Sequence, residues 1–146
     1  MAEQQLLVFK LDSEEYALPV LQIREIIKYQ GATKLPNANS SLEGIINLRN
    51  KIIPVINLAK IFDLNNEVDT DSRVIIVENN IQDLGIIVNA VTEVLRIDEN
   101  LIEKPPLQNK HSYIKGIGRT DTRMLMLLDL NELLETNNIQ EVTQLR

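Results

Sequence analysis

The chain has 146 residues, enough for one domain or two very small ones, and its 44% hydrophobic and 25% charged content excludes general disorder. A net charge of −6 opposes binding to a phosphate backbone, and only 3% aromatic residues with no Trp poorly supply a base-stacking platform. With no Cys, disulfides, thiolate metal sites and cysteine nucleophiles are excluded.

The 19 Ile and 10 Val are stiff, β-branched residues that favour pleated surfaces, so the expected core is aliphatic and mostly β. The N-terminus, Met1 to Lys10, lacks a basic region and a long apolar run, so it does not read as a signal peptide. No stretch approaches the ~18 apolar residues of a membrane span. A soluble, cytoplasmic protein is the expectation.

In chain order, Leu6–Leu11 and Tyr16–Val20 are apolar runs flanking Asp12-Ser13-Glu14-Glu15, a hairpin signal. Val20–Ile27 places apolar residues at 20, 23, 26 and 27, which predicts a helix of barely two turns. Ser40-Ser41-Leu42-Glu43 has capping-box spacing. Gly44–Leu48 and Lys51–Asn57 flank Arg49-Asn50 and read as a second hairpin, with Pro54 pointing to a sheet edge or a bulge. Leu58–Phe62 reads as a short closing helix. Leu64–Ser72 is a polar, acidic joint, and Glu135-Thr136-Asn137-Asn138 reads as a break before a loose tail.

The chain also repeats. Ala17–Lys28 lies over Gly85–Arg96 at an offset of 68, bringing Val20 onto Val88, Ile23 onto Val91, Glu25 onto Glu93 and Ile26 onto Val94. Val55–Phe62 lies over Leu127–Leu134 at an offset of 72, which Gly44-Ile45 and Gly116-Ile117 share. Two similar halves follow, 1–63 and 73–134, with a tail over 135–146. Each half is too small to bury a large core alone, so the halves are expected to pack together and leave a groove along their seam.

Reactive chemistry is scarce. His111 is the single histidine, lies in a polar loop after Pro105-Pro106, and is unaccompanied by a Ser in a nucleophile elbow. Asp69-x-Asp71 lacks the Gly and distal Glu of a calcium loop, and Gly116-x-Gly118 lacks the third glycine of a phosphate cradle. Asn39-Ser40-Ser41 fits a glycosylation sequon without any sign of secretion. Asp12, Glu14 and Glu15 read as ordinary turn charge. What remains is contact surface. Arg49, at a turn between apolar strands, is either solvated or an interface anchor. Glu25 and Glu93, among aliphatics, are either solvent-facing or polar markers of an apolar groove.

Gly44-Ile45-Ile46-Asn47-Leu48-Arg49-Asn50-Lys51-Ile52-Ile53-Pro54-Val55-Ile56-Asn57-Leu58 closely resembles the CheW family, the coupling proteins of bacterial chemotaxis. Tyr16–Val20 with Glu25-Ile26, Gly85–Val88 with Val94-Leu95, and Tyr113–Ile117 with Leu125–Leu134 support it, so the resemblance covers about Leu7 to Leu134. The family usually has Gly where this chain has Asn50, and often Asp where it has Asn57 and Asn89. The resemblance implies a mainly β fold of two SH3-like five-stranded barrels packed side by side, with short helices. It implies no catalysis and no cofactor or metal.

The implied role is an adaptor in the cytoplasm, recruited to membrane chemoreceptor arrays. It would link the cytoplasmic tip of a methyl-accepting chemoreceptor to the regulatory domain of the histidine kinase CheA, without nucleic acid or membrane insertion. The receptor helix hairpin would lie between the barrels, against Ile23, Ile26, Val88, Val91 and Val94. Glu25 would form a polar rim, and Gly116 and Gly118 would allow close approach. Kinase contact would lie on Leu48, Arg49, Asn50 and Ile52. A CheV-like or kinase-regulatory-domain-like adaptor is the alternative; the lack of a receiver or kinase domain in the chain favours the simple coupling protein. A small hydrolase is a remote third reading.

Overall fold

The computed structural model describes residues 2–36, 42–65, 67–78, 82–105 and 113–136. The capping box at Ser40-Ser41, the sequon, His111 and the tail beyond Thr136 lie outside them. The strands are β1 (Glu3–Leu11), β2 (Glu14–Pro19), β3 (Ile23–Lys28), β4 (Leu42–Leu48), β5 (Lys51–Asn57), β6 (Arg73–Glu78), β7 (Asp83–Val88), β8 (Ala90–Asp98), β9 (Ile102–Glu103), β10 (Ile114–Thr120) and β11 (Arg123–Leu128). Two short helices, α1 (Leu58–Ile61) and α2 (Leu130–Thr136), follow β5 and β11. The second helix therefore runs two residues past the break expected after Leu134.

Both predicted hairpins form, as β1–β2 and β4–β5. The second turns through Arg49 at φ 50° and Asn50 at φ 68°. Positive φ at both central residues gives the turn whose twist matches the flanking strands. The Asn47 side-chain oxygen accepts from the Asn50 N–H at 3.0 Å and braces it. Pro54 lies in an interior strand rather than at an edge. Its partner Ile45 spends its own N–H and C=O on Thr33, and the parallel ladder from β5 to β7 starts only at Val55. The missing proline donor thus falls where the ladder asks for none.

The helix expected over Val20–Ile27 is a correction. Only Val20–Gln22 make a 3₁₀ turn, and β3 begins at Ile23. The reason is a β-bulge. Ile23 pairs with Val77 and Glu25 with Ile76, so Arg24 is an extra residue. One inserted residue breaks the period of two and imitates helical spacing in the sequence.

The strands form two barrel-like sheets. The central barrel, of order β3-β6-β7-β5-β4, uses the middle of the chain, and the terminal barrel, of order β8-β1-β2-β11-β10-β9, gathers both ends. The expected division at 63 and 73 does not follow the sheets. Each half donates its first hairpin, β1–β2 or β6–β7, to the other half's remaining strands. The repeat itself is real at this level. β7 lies parallel to β5 with Gly85 opposite Val55, and β2 lies parallel to β11 with Ala17 opposite Leu127, at the same two offsets. The terminal sheet has a sixth strand, the two-residue β9. Its counterpart in the central sheet is the single bridge Thr33–Ile45.

Three cores result. The largest fills the seam between the sheets and includes Leu7, Phe9, Leu18, Ile56, Ile75, Val77, Ile86 and Val88, capped by Leu58, Leu130 and Leu133 of the helices. Burying this much aliphatic surface is the main favourable term for the paired arrangement. Phe9, Tyr16, Phe62 and Tyr113 form a string of ring contacts, ending in Phe62 stacked on Tyr113 at 5.0 Å. Smaller cores occupy each barrel, Ile53, Val55, Val74, Ile76 and Ile87 in the central one and Leu6, Ala17, Ile97 and Leu127 in the terminal one.

Candidate functional site

β3 and β8 are the outer strands of their sheets. Each carries the same bulge: Val8 pairs with Glu93 and Phe9 with Val91, leaving Thr92 extra just as Arg24 is on β3. The residue after each bulge is a glutamate, and the next is an aliphatic turned outward. Ile26 is 39% exposed and Val94 52%. Both therefore present apolar surface on an unpaired strand edge. Leu21, in the 3₁₀ turn leading into β3, is 100% exposed and extends this surface. Nothing in its sequence context marks it.

Ile23 and Val91 are half-buried and lean on the seam core, so they floor the surface rather than project from it. Val88 is a correction. It is 1% exposed inside the seam core, because the seam closes into packed side chains there instead of an open groove. Gly116 and Gly118 are also corrected. A Cβ on Gly116 would lie 2.7 Å from Ile102 Cγ2, and one on Gly118 2.9 Å from Ile97 Cδ1. Their vacant space admits the chain's own isoleucines, leaving none for a partner.

On the β4–β5 hairpin, Arg49 and Asn50 are exposed at the turn and Ile52 is exposed one residue into β5. Leu48 points toward the central barrel's interior. The Arg49 guanidinium reaches back to β3 and grips Glu25 with both nitrogens, Nη1 donating to Oε2 at 3.2 Å and Nη2 to Oε1. That hydrogen bond holds the Glu25 carboxyl below the usual carboxylate range, and Glu25 in turn raises Arg49. The residues assigned by sequence to two separate contacts thus meet in one ion pair joining the edge strand to the hairpin.

Two further ionic groups flank this site. Arg24, the bulged residue, pairs with Asp83 at 2.8 Å and Glu78 at 2.6 Å, while Lys51 reaches Asp83 at 3.4 Å. In the terminal barrel, Arg123 holds Glu15 and Glu93. Arg123 and the exposed Met124 were missed as sequence candidates, although the offset of 72 that pairs them with Lys51 and Ile52 could have found them.

At Asn57 and Asn89 the amide oxygens accept the hydrogen bonds that a carboxylate would also accept. Asn57 Oδ1 caps α1 by accepting from the Lys60 N–H at 3.3 Å, as Asp129 caps α2 from Glu132 at 3.1 Å. Asn89 Oδ1 accepts from the Asp12 N–H at 3.0 Å, tying the β1–β2 turn to the β7–β8 junction.

The described residues also form a pocket of about 660 Å³ at the open end of the central barrel, lined by Ile27 to Thr33, Ile45 to Leu48 and Val74. It lies away from the seam. Among the described residues no cluster of His, Asp and Glu has metal-binding geometry, and no helix is long and apolar enough to cross a membrane.

Comparison with known proteins finds clear relatives. The family model described as CheW-like domain matches residues 5–138. The chemotaxis protein CheW of Thermotoga maritima is 32% identical over 142 residues, covering 97% of this chain and 94% of that protein. The Bacillus subtilis protein of the same name is 30% identical over 141 residues, covering 94% and 90%. The crystal structure of scaffolding protein TtCheW from Thermoanaerobacter tengcongensis superposes with a TM-score of 0.85 at 42% identity, covering 93% of this chain and 95% of that one. The family match, the relatives and the shared fold agree: the chain belongs to the CheW family of non-catalytic chemotaxis scaffold proteins.

Proposed function

We propose that this chain couples the cytoplasmic tip of a chemoreceptor to the regulatory domain of the histidine kinase CheA, working in the cytoplasm at membrane receptor arrays. The Arg49–Glu25 pair carries this reading. It ties an apolar strand edge suited to a helical partner to a hairpin suited to a second partner, so the two contacts share one rigid element. The receptor helices lie across Leu21, Ile26 and Val94, floored by Ile23 and Val91, each laying an apolar face on these exposed residues. The kinase domain takes Arg49, Asn50 and Ile52, with Leu48 supporting the hairpin from below. Each contact needs about 800 Å² per partner, dominated by a few anchors. Receptor state reaches the kinase only if the bound scaffold favours one receptor conformation over another.

The test is reconstitution. Purified chain, a receptor signalling fragment and CheA together should raise CheA autophosphorylation, and only when the receptor fragment is present. No rise overturns the proposal. Arg49→Ala should weaken partner affinity by more than about 1 kcal/mol, roughly fivefold, with the fold intact. Undiminished binding of both partners would remove Arg49 from the contact.

A further inference from the structure

The terminal barrel holds its edge strand by a clamp that the coupling role above does not use. Arg123, the first residue of β11, donates from Nε to Glu15 Oε1 at 3.0 Å and from Nη2 to Glu15 Oε2 at 2.9 Å, and its Nη2 also lies 2.6 Å from Glu93 Oε2. Glu15 is on β2, beside β11, whereas Glu93 is on β8, with β1 and β2 intervening. No backbone ladder links β11 to β8; this side chain does.

The clamp sits where the ladder is weakest. The Thr92 bulge interrupts the β1–β8 pairing immediately before Glu93, and the Thr92 hydroxyl donates to the Val8 carbonyl at 3.1 Å. Bulges bend a strand and re-aim the side chains beyond them. The first such side chain past Glu93 is the outward-facing Val94. The central barrel holds Glu25 after its own bulge in the same way, yet with an arginine from a different place. Arg49 aligns with Asp121 under the repeat, and Arg123 aligns with Lys51. The two halves reach one ionic arrangement through non-equivalent residues, so the arrangement is more than a by-product of the repeat.

We propose that Arg123 is a positioning residue for the receptor-facing edge: by holding Glu93 it fixes the bulged segment of β8 and so the orientation of Val94. This rests on the receptor contact proposed above.

The test compares Glu93→Gln with Glu15→Gln in the full chain. Amide exchange of β8 is measured on the free protein, and affinity is measured separately for a receptor signalling fragment and for the kinase regulatory domain. Glu93→Gln should speed exchange over residues 93–96 by about tenfold and weaken receptor-fragment binding three- to tenfold, roughly, leaving kinase-domain binding unchanged. Glu15→Gln should change neither, because Arg123 still holds Glu93. Weaker binding of the receptor fragment without faster exchange would mean that Glu93 touches the partner directly, and it overturns the proposal. Equal effects from both substitutions, or faster exchange with unchanged receptor binding, overturn it as well. If the unmodified chain binds no receptor fragment, the coupling role fails instead, and the exchange result alone still decides whether the clamp exists.

Discussion

The central and terminal barrels share a strand order but are finished differently. In the terminal barrel, Ile97 and Ile102 press against Gly118 and Gly116 and close the barrel end. In the central barrel, the repeat places Tyr29 where Ile97 stands, Ala32 lies beside it, and the end stays open as the 660 Å³ pocket. The charged ends differ too. In the terminal barrel Arg123 joins the post-bulge Glu93 to Glu15, while in the central one Arg49 holds the post-bulge Glu25 and Arg24 and Lys51 hold Glu78 and Asp83 separately. Strand order is thus set by hairpins and seam burial, and the same order tolerates quite different plugging of the barrel end.

The comparison breaks most visibly if the barrels are separate folding units. The seam core predicts that they are not. Ile86→Ala, at a fully buried seam position, should cost about 2–5 kcal/mol. Urea unfolding followed by Tyr fluorescence and by far-UV dichroism should still show one coincident transition. Two separated transitions would show independent barrels.

A finer test uses equivalent positions. Gly85 in the central barrel is the repeat equivalent of Ala17 in the terminal one. A Cβ at Gly85 would lie 2.5 Å from Val55 Cγ1 and 2.8 Å from Val74 Cγ1, both on stiff, buried side chains. Gly85→Ala should therefore destabilise by about 1–3 kcal/mol through overpacking. Ala17→Gly, which creates no clash, should cost about 1–2 kcal/mol through backbone entropy and the loss of one buried methyl. Chemical denaturation of both variants measures the difference; equal costs would mean that the central barrel yields as easily as the terminal one.

The smallest effect is the titration of Glu25. Its carboxyl is held low by the Arg49 hydrogen bond, so the folded value lies below the unfolded one. The stability it contributes is present above the ordinary carboxylate range and is lost only as pH falls through the lowered folded value. The midpoint of the Glu25 carboxyl carbon shift should thus lie below the usual glutamate midpoint. In Arg49→Ala it should titrate higher than in the unmodified chain, because desolvation and Asp83, which both raise it, remain.

Much of the local structure was legible. The hairpins around Asp12-Ser13 and Arg49-Asn50, the helix from Leu58 and the pairing of Glu25 with Glu93 all follow from turn chemistry, alternation and a repeat within short windows. The candidate site was half legible. Ile26, Val94, Arg49 and Ile52 stand exposed, as a contact surface requires. Val88, Gly116 and Gly118 do not, because an aliphatic or a glycine reads alike whether it faces a partner or the chain's own core. The bulges at Arg24 and Thr92 were hidden because one extra residue scrambles the period by which strands are recognised.

Reading the residues alone was enough for the two first-half hairpins, the helix from Leu58, the twofold repetition, the aliphatic character of the core and the resemblance to the family. Each of these depends on residues close in the chain or on matching patterns between its halves. Only the tertiary structure decided that each half lends its first hairpin to the other, that the seam is packed solid, and that Arg49 and Arg123 bind glutamates on distant edge strands. Those outcomes depend on which long-range burial and ion pairing is most favourable, and in this chain many strands of similar Ile and Val content offered competing partners.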